Sequence, residues 1–201
     1  KDLLICSDEI YDRLVYDGVE AVSPAKFDTM RDKTIIINGF SKAFAMTGWR
    51  IGYVITPSEF FEPLYLHTGH QVSGMADFIL EACTVALNDE HKYGAVEAMR
   101  SEFDERRRYI YREINSMKHF SCLNPTGAFY IFMNIRKTGM TSDEFCDWLV
   151  KNYDVAMITG SCFGTEGEGF ARISYASSIE NIKKAMARLH EADKKLTEMG
   201  R

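Results

Sequence analysis

The sequence predicts an α/β chain: an open sheet with helices in the first hundred residues, then a smaller α+β unit. Three observations predict it. Short, partly β-branched apolar runs at residues 3–6, 34–38 and 49–56 are each followed by polar, Gly or Pro residues, as strands buried in a sheet are. Longer stretches at 75–88 and 93–117 repeat apolar residues at helical spacing. Beyond Met117, strand-like and helix-like segments alternate down to an amphipathic helix over 179–199.

Taken in order, the first run (Leu-Leu-Ile-Cys) reads as a core strand at the very start of the chain. A chain seldom opens inside such a strand, so a preceding segment is expected. After the third run, Pro57-Ser58-Glu59 reads as a helix start with Ser58 as cap. Met75, Phe78, Ile79, Ala82, Val85 and Ala86 mark the next helix. Val96, Met99, Phe103, Tyr109 or Ile110, and Ile114 mark one side of the long charged helix that follows. Arg106-Arg107-Arg108 within it is expected on a solvated face. Residues 128–135 read as a strand, 141–152 as a helix carrying Phe145, Trp148 and Leu149, and 155–158 and 170–175 as strands. The domain boundary is expected near residue 100, inside the long helix, dividing the chain into 1–100 and 101–201.

Composition narrows the function. Of the 201 residues 46% are hydrophobic and 26% charged, and the net charge of −5 argues against a nucleic-acid partner, which usually meets a basic face. No apolar run approaches the roughly 18 residues needed to span a bilayer. The five cysteines (Cys6, Cys83, Cys122, Cys146, Cys162) are odd in number and scattered, with no CxxC pair. Neither a metal site nor a disulfide scaffold is expected, and free thiols in a reducing cytoplasm are.

The richest chemical signal is Asn38-Gly39-Phe40-Ser41-Lys42-Ala43-Phe44-Ala45-Met46-Thr47-Gly48-Trp49-Arg50-Ile51-Gly52-Tyr53. Lys42 sits in a glycine-bounded loop after a strand, and Arg50 follows eight residues later. Phe40, Phe44, Met46 and Trp49 are expected to bury the loop, and a buried Lys is costly without a task. A desolvated Lys has a lowered pKa and can attack an aldehyde to form a Schiff base. An Arg beside it offers a planar fork to a phosphate. Aldehyde plus phosphate is the outline of pyridoxal 5′-phosphate (PLP). Read blandly, the same residues are a surface loop with two ordinary cations.

This segment resembles the lysine signature of class I/II aminotransferases at nearly every position, including the small residue before Lys42 and Gly-Trp-Arg-Ile-Gly after it. The resemblance implies that Lys42 carries PLP covalently and acts as the catalytic base, that Arg50 grips the cofactor phosphate, and that Ser41 assists there. Ser7-Asp8-Glu9-Ile10-Tyr11 follows the first strand. PLP gains from a carboxylate at its ring nitrogen and a donor at its phenolic oxygen, and Asp8 and Tyr11 could supply both from one side. The plain alternative is a capping Asp with a packed Tyr. Lys42 lies 34 residues after Asp8 and 31 after Tyr11, a spacing similar to the family's. In Gly169-Phe170-Ala171-Arg172-Ile173-Ser174-Tyr175-Ala176, a lone strand Arg is more often salt-bridged at an edge than a ligand. The resemblance makes Arg172 the group that binds the substrate α-carboxylate.

The resemblance runs over residues 2–189 and implies PLP-transferase fold type I: part of the large α/β/α domain in 1–100 and a small α+β domain in 101–201. It implies an aminotransferase acting on an amino acid and a 2-oxo acid, a homodimer when full-length. It covers only the later part of a family member, so the glycine/serine phosphate loop, the ring-stacking aromatic and the Asn at the phenolic oxygen would lie before Lys1. The chain alone is then expected to hold half a cofactor site and an open sheet edge. Two other readings use the same residues: a different reaction on this fold, such as a C–S lyase, and the PLP-sensing domain of a transcription regulator. A cofactor-free fragment is the fourth. Pro125-Thr126-Gly127-Ala128-Phe129-Tyr130 resembles the family's small-domain strand. Gly160-Ser161-Cys162-Phe163-Gly164 resembles a loop that usually begins Pro-Gly, with Thr159 in place of the Pro.

Overall fold

A computed structural model of the chain describes residues 3–201, with residues 89–93 described by backbone alone. The chain divides into two compact units, Lys1–Arg100 and Ser101–Arg201.

In the first unit β1 (Ile5–Asp8) runs parallel to β2 (Thr34–Gly39), with Asp8 opposite Ile37. A short helix α1 (Asp28–Arg31) precedes β2. Antiparallel to β2 is β3 (Gly52–Ile55), giving the order β1-β2-β3. The third strand is shorter than the apolar run 49–56 predicts, because Thr47–Trp49 form a 3-10 turn and Arg50 takes a left-handed φ of 55°. Nor are the strands buried as expected. All four residues of β3 are exposed, and β1 alternates between half-buried and exposed. Only β2 carries buried positions, at Thr34, Asn38 and Gly39.

Helix α2 (Ser58–Val72) follows, with Ser58 as its first turn. The cap position falls to Pro57, which has no side-chain donor or acceptor, so the predicted Ser58 cap does not form. Helix α3 (Asp77–Tyr93) stops at Gly94, whose φ of 61° suits a residue without Cβ. Its residues Ile79, Cys83 and Ala86 share one face and pack with Phe40, Phe44, Met46 and Ile51 of the lysine loop in one hydrophobic cluster of this unit. Helix α4 (Ala95–Asn115) runs across the boundary between the units.

The second unit has a three-stranded antiparallel sheet in the order β4-β6-β5, from β4 (Tyr130–Asn134), β5 (Ile158–Thr159) and β6 (Phe170–Ser174). Helix α5 (Ser142–Tyr153) opens with a full capping box: Glu144 N–H donates to the Thr141 hydroxyl, and Thr141 N–H donates to the Glu144 carboxylate. Helix α6 (Ile179–Glu198) is capped by Ser178 and buries Ile182, Met186, Leu189, Ala192 and Leu196 along one stripe. Alternation divides the sheet cleanly. Ile131, Met133 and Ala171 are buried on one face, while Tyr130, Phe132, Phe170 and Arg172 lie on the other. The strand expected at 155–158 shrinks to two residues.

The arginine run is a further correction. Arg108 is exposed and paired with Asp104, and Arg106 pairs with Glu102, but Arg107 is only 1% exposed. Its Nε donates to Asp104 Oδ1 (2.8 Å) and its Nη1 to Asn124 Oδ1 (2.7 Å) and the Pro125 carbonyl (2.8 Å). It ties α4 to the segment leading into β4. Among the described residues no helix is long and apolar enough to cross a membrane, and all five cysteines are free thiols.

Candidate active site

Two parallel neighbouring strands end side by side, and the residues that follow them converge. In open α/β sheets, ligands bind beyond the carboxyl ends of such strands. Asp8 is the last residue of β1, exposed, with Oδ1 accepting from Ile10 N–H at 3.2 Å. Tyr11 lies in the turn that follows and is half-buried. Lys42 leaves the end of β2, and its Nζ stands 6.0 Å from the Tyr11 ring centroid. The structure therefore brings Tyr11 and Lys42 together across two elements that are 31 residues apart.

The loop that carries Lys42 is pinched at its base. Gly39 and Gly52 face each other in the β2–β3 register. A Cβ on Gly39 would come within 2.8 Å of the Gly52 Cα, and one on Gly52 within 2.9 Å of the Asn38 carbonyl. Only two glycines permit that approach. Inside the loop Phe40, Ala43 and Met46 are buried and Phe44 partly so, which leaves Ser41 and Lys42 half-buried. Trp49, expected to help close the loop, is 45% exposed. Arg50 ends the loop, exposed, its Nη1 donating to the Thr47 carbonyl at 3.0 Å.

A brace that residue-type reasoning missed joins the two turns. The buried Asn38 donates from Nδ2 to Asp12 Oδ2 (3.1 Å) and accepts from Gly39 N–H at Oδ1 (2.7 Å). One amide thus ties the turn holding Asp8 and Tyr11 to the first residue of the lysine loop. An apolar-run pattern shows Asn38 only as the polar end of a strand. Beside it, Glu9 Oε1 is buried with no hydrogen-bond partner among the described residues.

Arg172 belongs to the second unit. It lies on β6, the central strand of its sheet, not on an edge. Its guanidinium carbon is 4.5 Å from the Tyr130 ring centroid and 4.6 Å from that of Phe163. No hydrogen-bond acceptor or carboxylate among the described residues engages it.

A carboxylate, a phenol and an amine stand at or beyond the ends of β1 and β2, and a guanidinium closes the loop that leads into β3. This set fits a cofactor with a ring nitrogen, a phenolic oxygen, an aldehyde and a phosphate. The fold, an open α/β sheet followed by an α+β unit, is that of the PLP-transferase class. The model for aminotransferase class I and II matches residues 1–189, and the chain belongs to that family, which is generally PLP-dependent. The aspartate aminotransferase of Pyrococcus abyssi is 43% identical over 198 residues, covering 98% of this chain and 51% of that protein. The aromatic-amino-acid aminotransferase 2 of Thermococcus litoralis is 43% identical over 197 residues, covering 97% of this chain and 50% of that protein. The crystal structure of an aromatic aminotransferase from Pyrococcus horikoshii superposes with a TM-score of 0.93 at 43% identity, covering 97% of this chain and 52% of that one. The fold is thus that of the fold-type-I aminotransferases. The chain spans about half the length of the curated relatives it matches.

Proposed function

We propose that the chain is the carboxyl-terminal half of a PLP-dependent aminotransferase that moves an amino group between an amino acid and a 2-oxo acid, as a homodimer in the cytoplasm. The observation that carries this reading is the approach of Lys42 to Tyr11 at the ends of the parallel pair β1–β2, with Asp8 as the last residue of β1. When bound, PLP supplies an aldehyde that joins an amine and a protonated ring that draws off the electron pair left at the substrate Cα.

Each residue has a task set by its chemistry. Asp8 holds the proton on the ring nitrogen, and the Tyr11 hydroxyl donates to the phenolic oxygen. Arg50 grips the phosphate through its planar fork, with the Ser41 hydroxyl beside it. Lys42 Nζ anchors the cofactor, then takes and returns the proton at the substrate Cα. Arg172 holds the substrate α-carboxylate and thereby orients the Cα–H bond. The names of the relatives favour transamination over the lyase and regulator readings.

Borohydride reduction of the full-length, PLP-loaded protein, followed by peptide mapping, is expected to find the pyridoxyl group on Lys42. Attachment at another lysine would overturn the assignment. Lys42→Ala is expected to keep part of its non-covalent PLP and lose turnover with L-aspartate or L-phenylalanine. Residues 1–201 alone are expected to bind PLP weakly and to show no measurable transamination.

A further inference from the structure

The arginines of the second unit are held in two different ways, and the difference concerns what each can bind. Arg107 is neutralised: Asp104, Asn124 and Pro125 occupy its in-plane donors. Arg172 is half-buried on a central strand, yet no acceptor meets it among the described residues. What does meet it are two aromatic rings. Tyr130 reaches it from β4 on one side, and Phe163 from the turn that follows β5 on the other. Phe163 is in turn braced edge-on by Phe132, whose ring stacks on Phe170 at 4.9 Å.

A guanidinium has five N–H donors, all in its plane, and two faces with none. Carboxylates and carbonyls hold an arginine by its edge and so consume the donors a ligand would use. Aromatic rings hold it by its face through cation–π attraction and leave the edge open. We propose that Tyr130 and Phe163 are positioning residues: their rings hold the Arg172 guanidinium from β4 and from the turn after β5, and its donors, engaged by no acceptor among the described residues, are left for the substrate α-carboxylate. This rests on the reading of Arg172 as the carboxylate site. An arginine side chain loses rotamer freedom when it binds a ligand, and the clamp removes part of that cost before the substrate arrives. It acts on binding, not on the proton transfer.

The backbone supports the same arrangement. A Cβ on Gly160 would collide with the Gly167 carbonyl oxygen, so the turn carrying Phe163 is folded tightly against the start of β6. Ala128 takes a φ of 58° immediately before Phe129 and Tyr130, and its carbonyl accepts from the Tyr175 hydroxyl at 3.0 Å. Both rings are therefore delivered by constrained backbone.

The test is steady-state kinetics of the full-length, PLP-loaded enzyme, with whichever of L-phenylalanine or L-aspartate the unaltered enzyme turns over faster and 2-oxoglutarate as acceptor. PLP affinity is measured alongside by absorbance titration. Phe163→Leu and Tyr130→Leu are each expected to raise KM for the amino acid about fivefold to tenfold, as one partly desolvated cation–π contact implies. kcat is expected to stay within about twofold and PLP affinity to be unmoved. Phe163→Tyr, which keeps a ring over the guanidinium, is expected to restore KM. Arg172→Lys is expected to raise KM far more than either leucine variant. Leucine variants with unaltered KM, beside an impaired Arg172→Lys, would overturn the clamp and leave the carboxylate reading standing. Arg172→Lys with unaltered KM would overturn that reading and the clamp with it. A rise in KM matched by equal losses of kcat and PLP affinity in Phe163→Leu would mark a merely structural ring and likewise overturn the proposal.

Discussion

The two units of this chain solve the burial problem unequally. In the second, every helix after Arg100 commits a full apolar stripe, and Ile110, Ile114, Phe145, Leu149, Met186 and Leu189 are all at most 1% exposed. In the first, α2 buries none of its 15 residues, and β3 none of its four. Phe61, Tyr65, Leu66 and Val72 of α2 stand open, as do Val54 and Ile55 of β3. Polar accounting follows the same division. The second unit meets even the buried Arg107 with acceptors from Asp104, Asn124 and Pro125, whereas the first leaves Glu9 Oε1 buried and unmatched among the described residues. The first unit keeps a core around the lysine loop, but the open apolar faces of α2 and β3 are suited to further protein surface.

The largest expected effect tests the closed side. Arg107→Ala empties a fully buried site and strips charged hydrogen bonds from Asp104, Asn124 and the Pro125 carbonyl at once, and is expected to destabilise the second unit by about 3–5 kcal/mol. Urea unfolding followed by Trp148 fluorescence in a Trp49→Phe background reports that unit alone. A loss below about 1 kcal/mol would show that the clamp between α4 and the segment before β4 contributes little.

The comparison itself sharpens with a matched pair. Leu149→Ala is expected to cost about 2–5 kcal/mol, since it opens a cavity in a closed core. Phe61→Ala in the 201-residue chain is expected to stay within about 0.5 kcal/mol, since its ring is already exposed. In the full-length protein Phe61→Ala is expected to cost more, by whatever burial its ring has gained. Equal small effects in both lengths would break the idea that the open faces of the first unit are covered by the rest of the protein.

The smallest effect is acid sensitivity. Burial alone would raise the Asp104 carboxyl, but hydrogen bonds from Arg107 and Arg108 outweigh it and hold the group below its ordinary value. Burial would likewise raise Asp193, and the His119 and Lys118 backbone N–H groups with the His119 ring outweigh it. Both folded values are depressed, so both groups contribute stability that is fully present above the unfolded value of about 4 and is lost as pH falls through the lower folded value. The melting temperature of the second unit is expected to decline between about pH 5 and about pH 3. Asp193→Asn should flatten that decline, and a variant as acid-sensitive as the parent would remove Asp193 from the account.

By itself the sequence determined the element types, the family and the candidate chemistry, because these depend on local information. Apolar period places α3 to α6 within about five positions, and the run from Asn38 to Tyr53 carries its own signature. Lys42 and Arg50 stand in that run, and Asp8 and Tyr11 precede it at a spacing similar to the family's. What was not legible depends on groups distant in the chain. Arg107 looks like the middle of a charged surface run until Asn124 and Pro125, 17 and 18 residues away, take up its donors. Asn38 looks like a strand end until Asp12, 26 residues away, accepts from it. Trp49 and the apolar strand β3 look buried, since residue type records how much burial would be worth and not whether a partner surface is present. Phe163 and Tyr130 read as two ordinary aromatics 33 residues apart. Only the tertiary structure sets both against one guanidinium, because cation–π attraction acts within about 6 Å and the chain has to fold before those distances exist.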